Sequence, residues 1–590
     1  MKFLLGSGML AAVCLATPCV AQSNMISGTD VELGFLNVGP DFDVLGHEGG
    51  ALTGQAAFSM STTSCNPGTV DVPWLQPMAA DHPLIAFMVV REDPADGRLV
   101  QISDRSWLKH AFFALSDNQC FYGCSQVSGG TFLAIGCSDT YGVGNNSDRF
   151  YLGPPEEIDP WLGTWNPMGS FFDCPTGAGC DGARTYLGNE TSALSHRVII
   201  QDSDLDVSGA NFYYYGYYVI RGEPEGVREN NGNSREFVPS WNGSTWNTLE
   251  NSTNEHQQGT VLQRWTGATI TSGKNEVSNV DRDGRVYVAS KVTAIPGGFH
   301  YEYALHNRDN NGGISEFHLP LGSYVDITNV GFHDVDQDSG NDWSVSLLSD
   351  ELVLSTNDNP LAWNTVYNFW FDTVAGPVPQ DMELTQFVTN PGAASSFTVP
   401  VEGPGDGRGL FPVLCNGDGG NQLGCTPCPC GNNTFPGTFG GCINSSGRGS
   451  ALVGIGVPSV SADSLRFEMF GLPSNAFSVL TSGDAVAPGN SNHFCFGLDT
   501  GLLSVSFDGL RCAVMNTRRH GGRAADSLGR VGVTSNGWGP PNGPPIGLIG
   551  QGGFVAGQTR FYQATHRDNS MFVCGRGLNT SQAVEVTFLP

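Results

Sequence analysis

The stretch Phe299-His300-Tyr301-Glu302-Tyr303-Ala304-Leu305-His306 decides the fold. Phe299, Tyr301, Tyr303 and Leu305 alternate with His300, Glu302, Ala304 and His306, and a period of two puts each set on one face of a β-strand. One face is core and the other is polar. The run from Glu316 repeats the device, with Phe317 and Leu319 alternating with Glu316 and His318 until Pro320, which has no amide to give a ladder, ends it. Further runs at Trp343 to Leu348, Glu351 to Ser355 and Thr365 to Phe371 follow at the spacing of a sandwich. Gly284 to Asp372 therefore reads as an antiparallel β-domain carrying the acidic loop Phe332-His333-Asp334-Val335-Asp336-Gln337-Asp338-Ser339-Gly340-Asn341-Asp342-Trp343.

Working outward, 79 glycines and 34 prolines make turns dense, while aromatics at 10% and many Val, Thr and Ile runs favour short strands over helices. Hydrophobic residues at 39% suffice to fill cores, and 590 residues are too many for one. The expected fold class is all-β and multidomain, with antiparallel β-sandwich-like domains, long loops and disulfides. Leu84 to Val90 and Leu99 to Ile102 flank the turn Asp96-Gly97 and predict a hairpin. Phe212 to Ile220 predicts another, with a long acidic tip at Asp202 to Gly209. The polar, Asn-rich Glu223 to Gln258 reads as an extended surface loop. Trp107 to Leu115 fits a short helix or a strand.

Lys2, an apolar run from Phe3 to Ala16, and small residues at Cys19 and Ala21 have the form of a cleavable secretory signal. No later window reaches the roughly 18 apolar residues of a membrane helix, so a secreted or cell-surface protein with no transmembrane segment is expected. Of sixteen cysteines, Cys14 and Cys19 fall in the signal. The rest, Cys65, Cys120, Cys124, Cys137, Cys174 and Cys180 in front and Cys415, Cys425, Cys428, Cys430, Cys442, Cys495, Cys512 and Cys574 behind, are even in number and expected to be oxidised within their own halves.

The formal charge of −29 is unevenly placed: from Asn416 onward there are ten Arg, no Lys and nine Asp plus Glu, so the back is near neutral and the front carries −30. That break, with the linker-like Glu402-Gly403-Pro404-Gly405-Asp406-Gly407 before it, sets the expected division. It runs as a signal at 1–21, an N-terminal disulfide-containing β-domain at 22–190, a middle sandwich at 191–402, a linker at 403–414 and a disulfide-rich module at 415–590. An acidic front excludes nucleic acid as a partner, because like charge repels. It accommodates cations.

Asp334, Asp336, Asp338 and Asp342 stand at even spacings in one loop, a pattern that can turn several carboxylates onto one hard cation. Ser339 and Val345 occupy the sixth and twelfth positions, so the loop is not an EF-hand. Asp202, Asp204 and Asp206 repeat the alternation, with Gly209 closing the turn. Calcium is the expected cofactor, and it would staple a middle domain that has no cysteine. The alternative is a solvated acidic turn.

His300, Glu302, His306, Glu316 and His318 could converge as a metal or acid-base site, or form outward polar faces. Gly-x-Ser-x-Gly and His-Glu-x-x-His are both missing. Cys65 with His82 or His110 could make a Cys/His enzyme, but a secreted cysteine among five neighbours is expected to be bridged. The oxidising compartment likewise turns the zinc-like spacing of Cys425, Cys428, Cys430 and Cys442 into a disulfide reading. Trp161 and Trp165 flank a proline-rich loop and serve either packing or a ligand.

At the back, Cys415-Asn416-Gly417-Asp418-Gly419, Cys428-Pro429-Cys430-Gly431-Asn432, Gly441-Cys442-Ile443-Asn444-Ser445, Asp508-Gly509-Leu510-Arg511-Cys512, Arg560-Phe561-Tyr562-Gln563 and Arg567-Asp568 form a set. It resembles a C-terminal module carried by many secreted proteins of planctomycetes and similar bacteria. Ala564-Thr565-His566 departs from the aromatic residues usual there. The front is similar to uncharacterised exported proteins of the same bacteria through Thr62-Thr63-Ser64-Cys65-Asn66, Trp107-Leu108-Lys109-His110, Gly136-Cys137-Ser138-Asp139, Phe332-His333-Asp334-Val335 and Tyr367-Asn368-Phe369. The resemblance implies export and a shared fold, and no activity.

The functional expectation is a secreted, non-catalytic, calcium-stabilised protein of the cell surface or matrix, with an extracellular glycan or envelope protein as partner. The alternative is a secreted polysaccharide hydrolase, with acid and base among Glu156, Glu157, Asp159 or the His/Glu strand faces.

Overall fold

Strand Gly298–Asn307 runs antiparallel between Arg285–Ile295 and Thr365–Thr373, and Thr269–Lys274 and Ile327–His333 extend these to a five-stranded sheet. A second sheet has the order Ser344–Leu347, Glu351–Ser355, Ile314–Pro320, Pro377–Gln386, Ser396–Pro404. Tyr301, Tyr303 and Leu305 of the first meet Phe317, Leu319, Leu352 and Leu384 of the second in one core, so the alternation in the sequence is the inner face of a sandwich. Stacks of Tyr301 on Phe371 at 5.1 Å and Phe317 on Phe369 at 4.8 Å each add about 0.5–1.5 kcal/mol beyond area burial. This is the computed structural model of the chain, and it describes residues 25–590 apart from 35–40, 77, 126–129, 251–255, 276–283, 296–297, 323–324, 326, 337, 349–350, 390–392, 406–410, 420–426, 436–438, 487–506, 533–536, 540–546, 570 and 572–574. The signal segment, residues 406–410 of the expected linker, and Cys425, Cys495 and Cys574 lie outside the described residues. No helix among the described residues is long and apolar enough to cross a membrane. The fold is all-β and built of several antiparallel sheets.

Ahead of the sandwich, strand Asn211–Val219 is the spine of an eight-stranded sheet, pairing with Leu84–Glu92 on one side and Gly232–Trp241 on the other. Its residues are buried on both faces: Phe212, Tyr214 and Tyr218 enter one core, and Tyr213, Tyr215, Tyr217 and Val219 another. That second core also takes Tyr287, Ala289, Ala304, Trp363 and Val366 from the sandwich, so the two units share apolar packing.

Three expectations are corrected here. The boundary at 190 does not separate two sheets, because Val198–Gln201 pairs with Gln55–Met60 and Asn211–Val219 with Leu84–Glu92, across it. Residues 175–190 form an irregular loop within one unit. The expected acidic hairpin tip is a one-turn helix, Asp202–Leu205, passing between strands of different sheets. The expected surface loop contains strands Gly232–Trp241 and Trp246–Glu250, whose polar Asn233, Ser234 and Arg235 are buried because they find hydrogen-bond partners. The expected hairpin at Asp96-Gly97 is present, with Leu84–Glu92 paired to Leu99–Gln101. Trp107 to Leu115 contributes only the strand Leu108–His110.

The back of the chain forms its own five-stranded sheet, ordered Val413–Leu414, Leu578–Thr587, Thr559–Arg567, Phe477–Gly483, Arg518–Ala524, over a core of Leu452, Phe467, Leu480, Tyr562 and Val584. Bridges join Cys65 to Cys120, Cys124 to Cys137, Cys174 to Cys180, Cys415 to Cys512 and Cys428 to Cys442, and each stays within its own half. Cys430 is also bridged.

Candidate functional site: a cavity between the first unit and the sandwich

The two acidic loops reach one cavity of about 400 Å³, lined by Gln55, Gln101, Asp104, Gln201, Asp204, His333 and Asp336 with Ile102, Ile199 and Val335. Strand pairing assembles it: Gln55 and Gln201 are register partners across antiparallel strands, and His333 ends the edge strand Ile327–His333 of the sandwich. Asp104 Oδ1 accepts from the Ile199 amide at 2.8 Å, and burial pushes its carboxyl up to about 7. Burial also raises Asp204, against the Arg91 guanidinium, which donates to Asp204 Oδ1 at 3.3 Å. Burial lowers the His333 imidazole, helped by Arg98. The side chains of Gln55, Gln201 and His333 make no hydrogen bond among the described residues. Carboxylates, amides and an imidazole thus face one space with hydrogen-bonding capacity to spare.

Only one aspartate of each loop takes part. Asp202 is fully buried: burial works to raise it, but bonds from His47, Trp246 and the Gly54 amide, each at 2.8 Å, outweigh that and hold its carboxyl below the usual range. Asp206 is exposed and lies apart from the cavity lining. In the later loop, Asp334 accepts from the Asp336 amide at 3.0 Å and from Asn359 at 2.6 Å, Asp336 from the Asp338 amide at 2.7 Å, and Asp338 from the Gly340 amide at 2.9 Å. Each carboxylate caps the turn that follows it. Asp334 and Asp342 are both raised, by burial first and then by their acidic neighbours. Among the described residues, only Asp173, Cys174 and Cys180 bring three metal-type ligand atoms within 4.8 Å of one another, and both of those sulfurs are consumed in a disulfide. The carboxylates of the two loops, as placed, do not form a closed cation cage.

The other candidates have structural work. His300 bonds Glu302 at 2.8 Å and Asp372 at 2.6 Å on one sheet of the sandwich, and His318 bonds Glu316 at 2.9 Å and Glu351 at 3.2 Å on the other, so the two groups do not converge. His306 is buried against Thr260 at 2.8 Å, and burial lowers it to about 3. Glu157 accepts from the Phe171 amide at 2.7 Å, Asp159 from the Trp161 and Leu162 amides, and Glu156 from Arg105 at 2.6 Å. Trp161 and Trp165 are buried, so packing explains them. Cys65 is bridged and cannot be a nucleophile. His82 Nδ1 lies 2.7 Å from the Ala79 carbonyl and so donates to it; its Nε2 then accepts from His110 Nδ1 at 2.7 Å, a neutral buried pair.

The motif residues at the back meet in one knot. Gln563 Oε1 accepts from the amides of Cys512 at 2.8 Å and Ala513 at 3.2 Å, while its Nε2 donates to Leu510 and Ser581. Asn432 donates to Ile443 and Asp508, and Asp568 accepts from the Ser445 amide at 3.0 Å. These residues hold the module together, which is a structural reason for the set. A scan of protein-family models finds no match to the chain, and a search of curated proteins finds none either.

Proposed function

We propose that the chain is an exported, non-catalytic binding protein of the cell surface or matrix, with a hard cation such as calcium held in the junction cavity. One observation carries the reading: loops more than a hundred residues apart in sequence deliver Asp204 and Asp336 to the same space, where Asp104 joins them. Carboxylate and amide oxygens are the donors such an ion takes. The ligand atoms would have to draw together on binding, so the cation would tie the first unit to the sandwich. With no Phe, Tyr or Trp among its described lining residues, the cavity gives a sugar ring little to stack on, and that weighs against a glycosidase there.

Melting of the full chain with calcium and with chelator tests this. A ligand that binds only the folded state stabilises by about 2.7 kcal/mol at a hundredfold excess over Kd, so the midpoint should rise. Asp204→Ala and Asp336→Ala should remove most of the rise, and Asp206→Ala none of it. An unmoved wild-type midpoint refutes the proposal. The hydrolase reading has one observation of its own, the Asp104 carboxyl raised to about 7 opposite other carboxylates, as an acid and base would need. Turnover of a polysaccharide that Asp104→Asn abolishes would establish it.

A further inference from the structure

We propose that a second cavity, beside the Cys65–Cys120 bridge, is a binding site for a neutral oligosaccharide. It is independent of the junction cavity, with a volume of about 720 Å³, and its lining includes Glu32, Phe121, Tyr122, Asn233, Gln257 and Gln258. That volume suits a ligand of a few sugar rings.

Phe121 is 86% exposed and has φ +59°, left-handed backbone that a side chain of its kind rarely adopts. The chain holds it there firmly. Bridges at Cys120 and Cys124 flank it, the Phe121 amide donates to the Asn118 carbonyl at 3.3 Å, and Asn118 Oδ1 accepts from the amides of Gly123 at 3.2 Å and Cys124 at 3.3 Å. A scattered apolar residue on a surface needs no explanation. A strained aromatic, pinned outward by two disulfides at the lip of a groove, does, because strain persists where the surroundings impose it and such sites concentrate at ligand contacts. Tyr122, nearly half exposed, adds a second ring beside it and bonds Glu32 through its hydroxyl.

The rest of the lining is planar and polar. Gln258 donates to Glu32 at 2.5 Å, and Gln257 stands beside it on the same short strand, paired with Gly232–Trp241. Asn233, also in the lining, is 97% buried; its Nδ2 donates to the Leu33 carbonyl at 2.9 Å, but its Oδ1 has no partner among the described residues. A buried acceptor left unmatched is unfavourable, and a ligand hydroxyl would satisfy it. A pyranose presents both complements: the axial C–H face packs on an aromatic ring, and the ring hydroxyls pair as donor and acceptor with carboxylate and amide groups. Among the described residues Glu32 is the one charged lining side chain, since burial lowers His256 to about 4 and keeps it neutral, so the ligand is an uncharged sugar.

The test is a printed array of neutral and acidic oligosaccharides probed with the full chain, followed by calorimetric titration of the best neutral binder into wild type, Phe121→Gly, Gln257→Ala and Phe435→Ala. Phe121→Gly should weaken binding by about tenfold or more, yet raise the unfolding midpoint, because glycine relieves the left-handed strain. Gln257→Ala should weaken binding too. Phe435→Ala, which removes a ring 83% exposed in the back half, should leave it unchanged. The proposal is overturned if no neutral oligosaccharide binds, or if Phe121→Gly binds within twofold of wild type. A concentration-dependent dimer that Phe121→Gly abolishes overturns it as well, assigning the groove to a second copy of the chain.

Discussion

Arg98 joins the first unit to the sandwich, and replacing it with methionine measures that joint. Its guanidinium lies 3.5 Å over the Trp370 ring and donates through Nε to Glu302 Oε1 and through Nη2 to Oε2, the latter at 3.2 Å. The Glu302 side chain is only 4% exposed, so Arg98→Met leaves a buried carboxylate with His300 as its remaining partner at 2.8 Å. Removing one member of a buried pair costs about 3–5 kcal/mol. His300 offsets part of that. Its pKa is already raised, first by the bond to Glu302, and losing the competing guanidinium raises it further. Stability from a raised histidine is fully present below its unfolded value, about 6.5, and is lost as pH climbs through the folded value. The penalty should therefore be about 3 kcal/mol or more at pH 8.5 and distinctly smaller at pH 5.5. Hydrogen exchange of strands Leu84–Glu92 and Gly298–Asn307 in a urea series reads the effect on both sides of the joint. Both strands should lose protection together. A loss below about 1 kcal/mol at pH 8.5, an equal penalty at both pH values, or a change confined to one strand would refute the shared-unit reasoning.

Lys109 is fully buried, its ammonium 4.3 to 4.8 Å from the rings of Phe112, Tyr141 and Tyr151, and burial lowers it to about 7. The unfolded chain then binds the extra proton between about 7 and 10.4, so stability climbs with pH across that window; Lys109→Met should flatten the slope and raise stability by about 1 kcal/mol or more at pH 6, as urea titrations at pH 6 and pH 9 would report. Gln563→Ala strands two amides and two carbonyls in the knot of the back module and should cost about 2–4 kcal/mol, with the loss confined by hydrogen exchange to residues 413–590.

The sandwich was legible because polar His300, Glu302 and His306 mark the period between Phe299 and His306, but the expected polar outer face is not solvent-facing: Glu302, Ala304 and His306 are buried against the first unit. Phe212 to Ile220 was legible as a strand, but its place as a spine was not, since both faces are buried and the tyrosines erase the alternation. Gly232–Trp241 looked like loop because its polarity is paid inside the fold, with Arg235 reaching Asp41 across 194 residues of sequence. The junction cavity has the same character. Asp204 and Asp336 stood out by their spacing, but Asp104 sits in Ser103-Asp104-Arg105 with no pattern around it, and Gln55, Gln201 and His333 arrive only through strand pairing. Phe121 did leave a signal. An aromatic pair in the three residues between two bridged cysteines has too short a tether to reach a core, and that alone marks it as surface.

The charge of the front half bears on both sites. Its net of −30 is not neutralised inside, because buried bases are matched by buried acids: Arg235 by Asp41, and Arg228 and Arg308 by Asp309. The excess carboxylates therefore face solvent and set a negative potential that attracts cations and repels anionic polymers. At physiological salt that potential decays over about 8 Å, so what decides each site is the charge within it. The described lining of the junction cavity holds three aspartates and no lysine or arginine, an arrangement that rewards a cation, and without one burial holds the Asp104 carboxyl up at about 7. Among the described residues the groove at Phe121 holds a single carboxylate, already bonded to Tyr122 and Gln258. Its remaining chemistry is ring faces and amides, which gain nothing from ligand charge, and an acidic sugar would meet Glu32 and the surrounding field as repulsion. One potential therefore selects a cation for the first site and an uncharged ligand for the second.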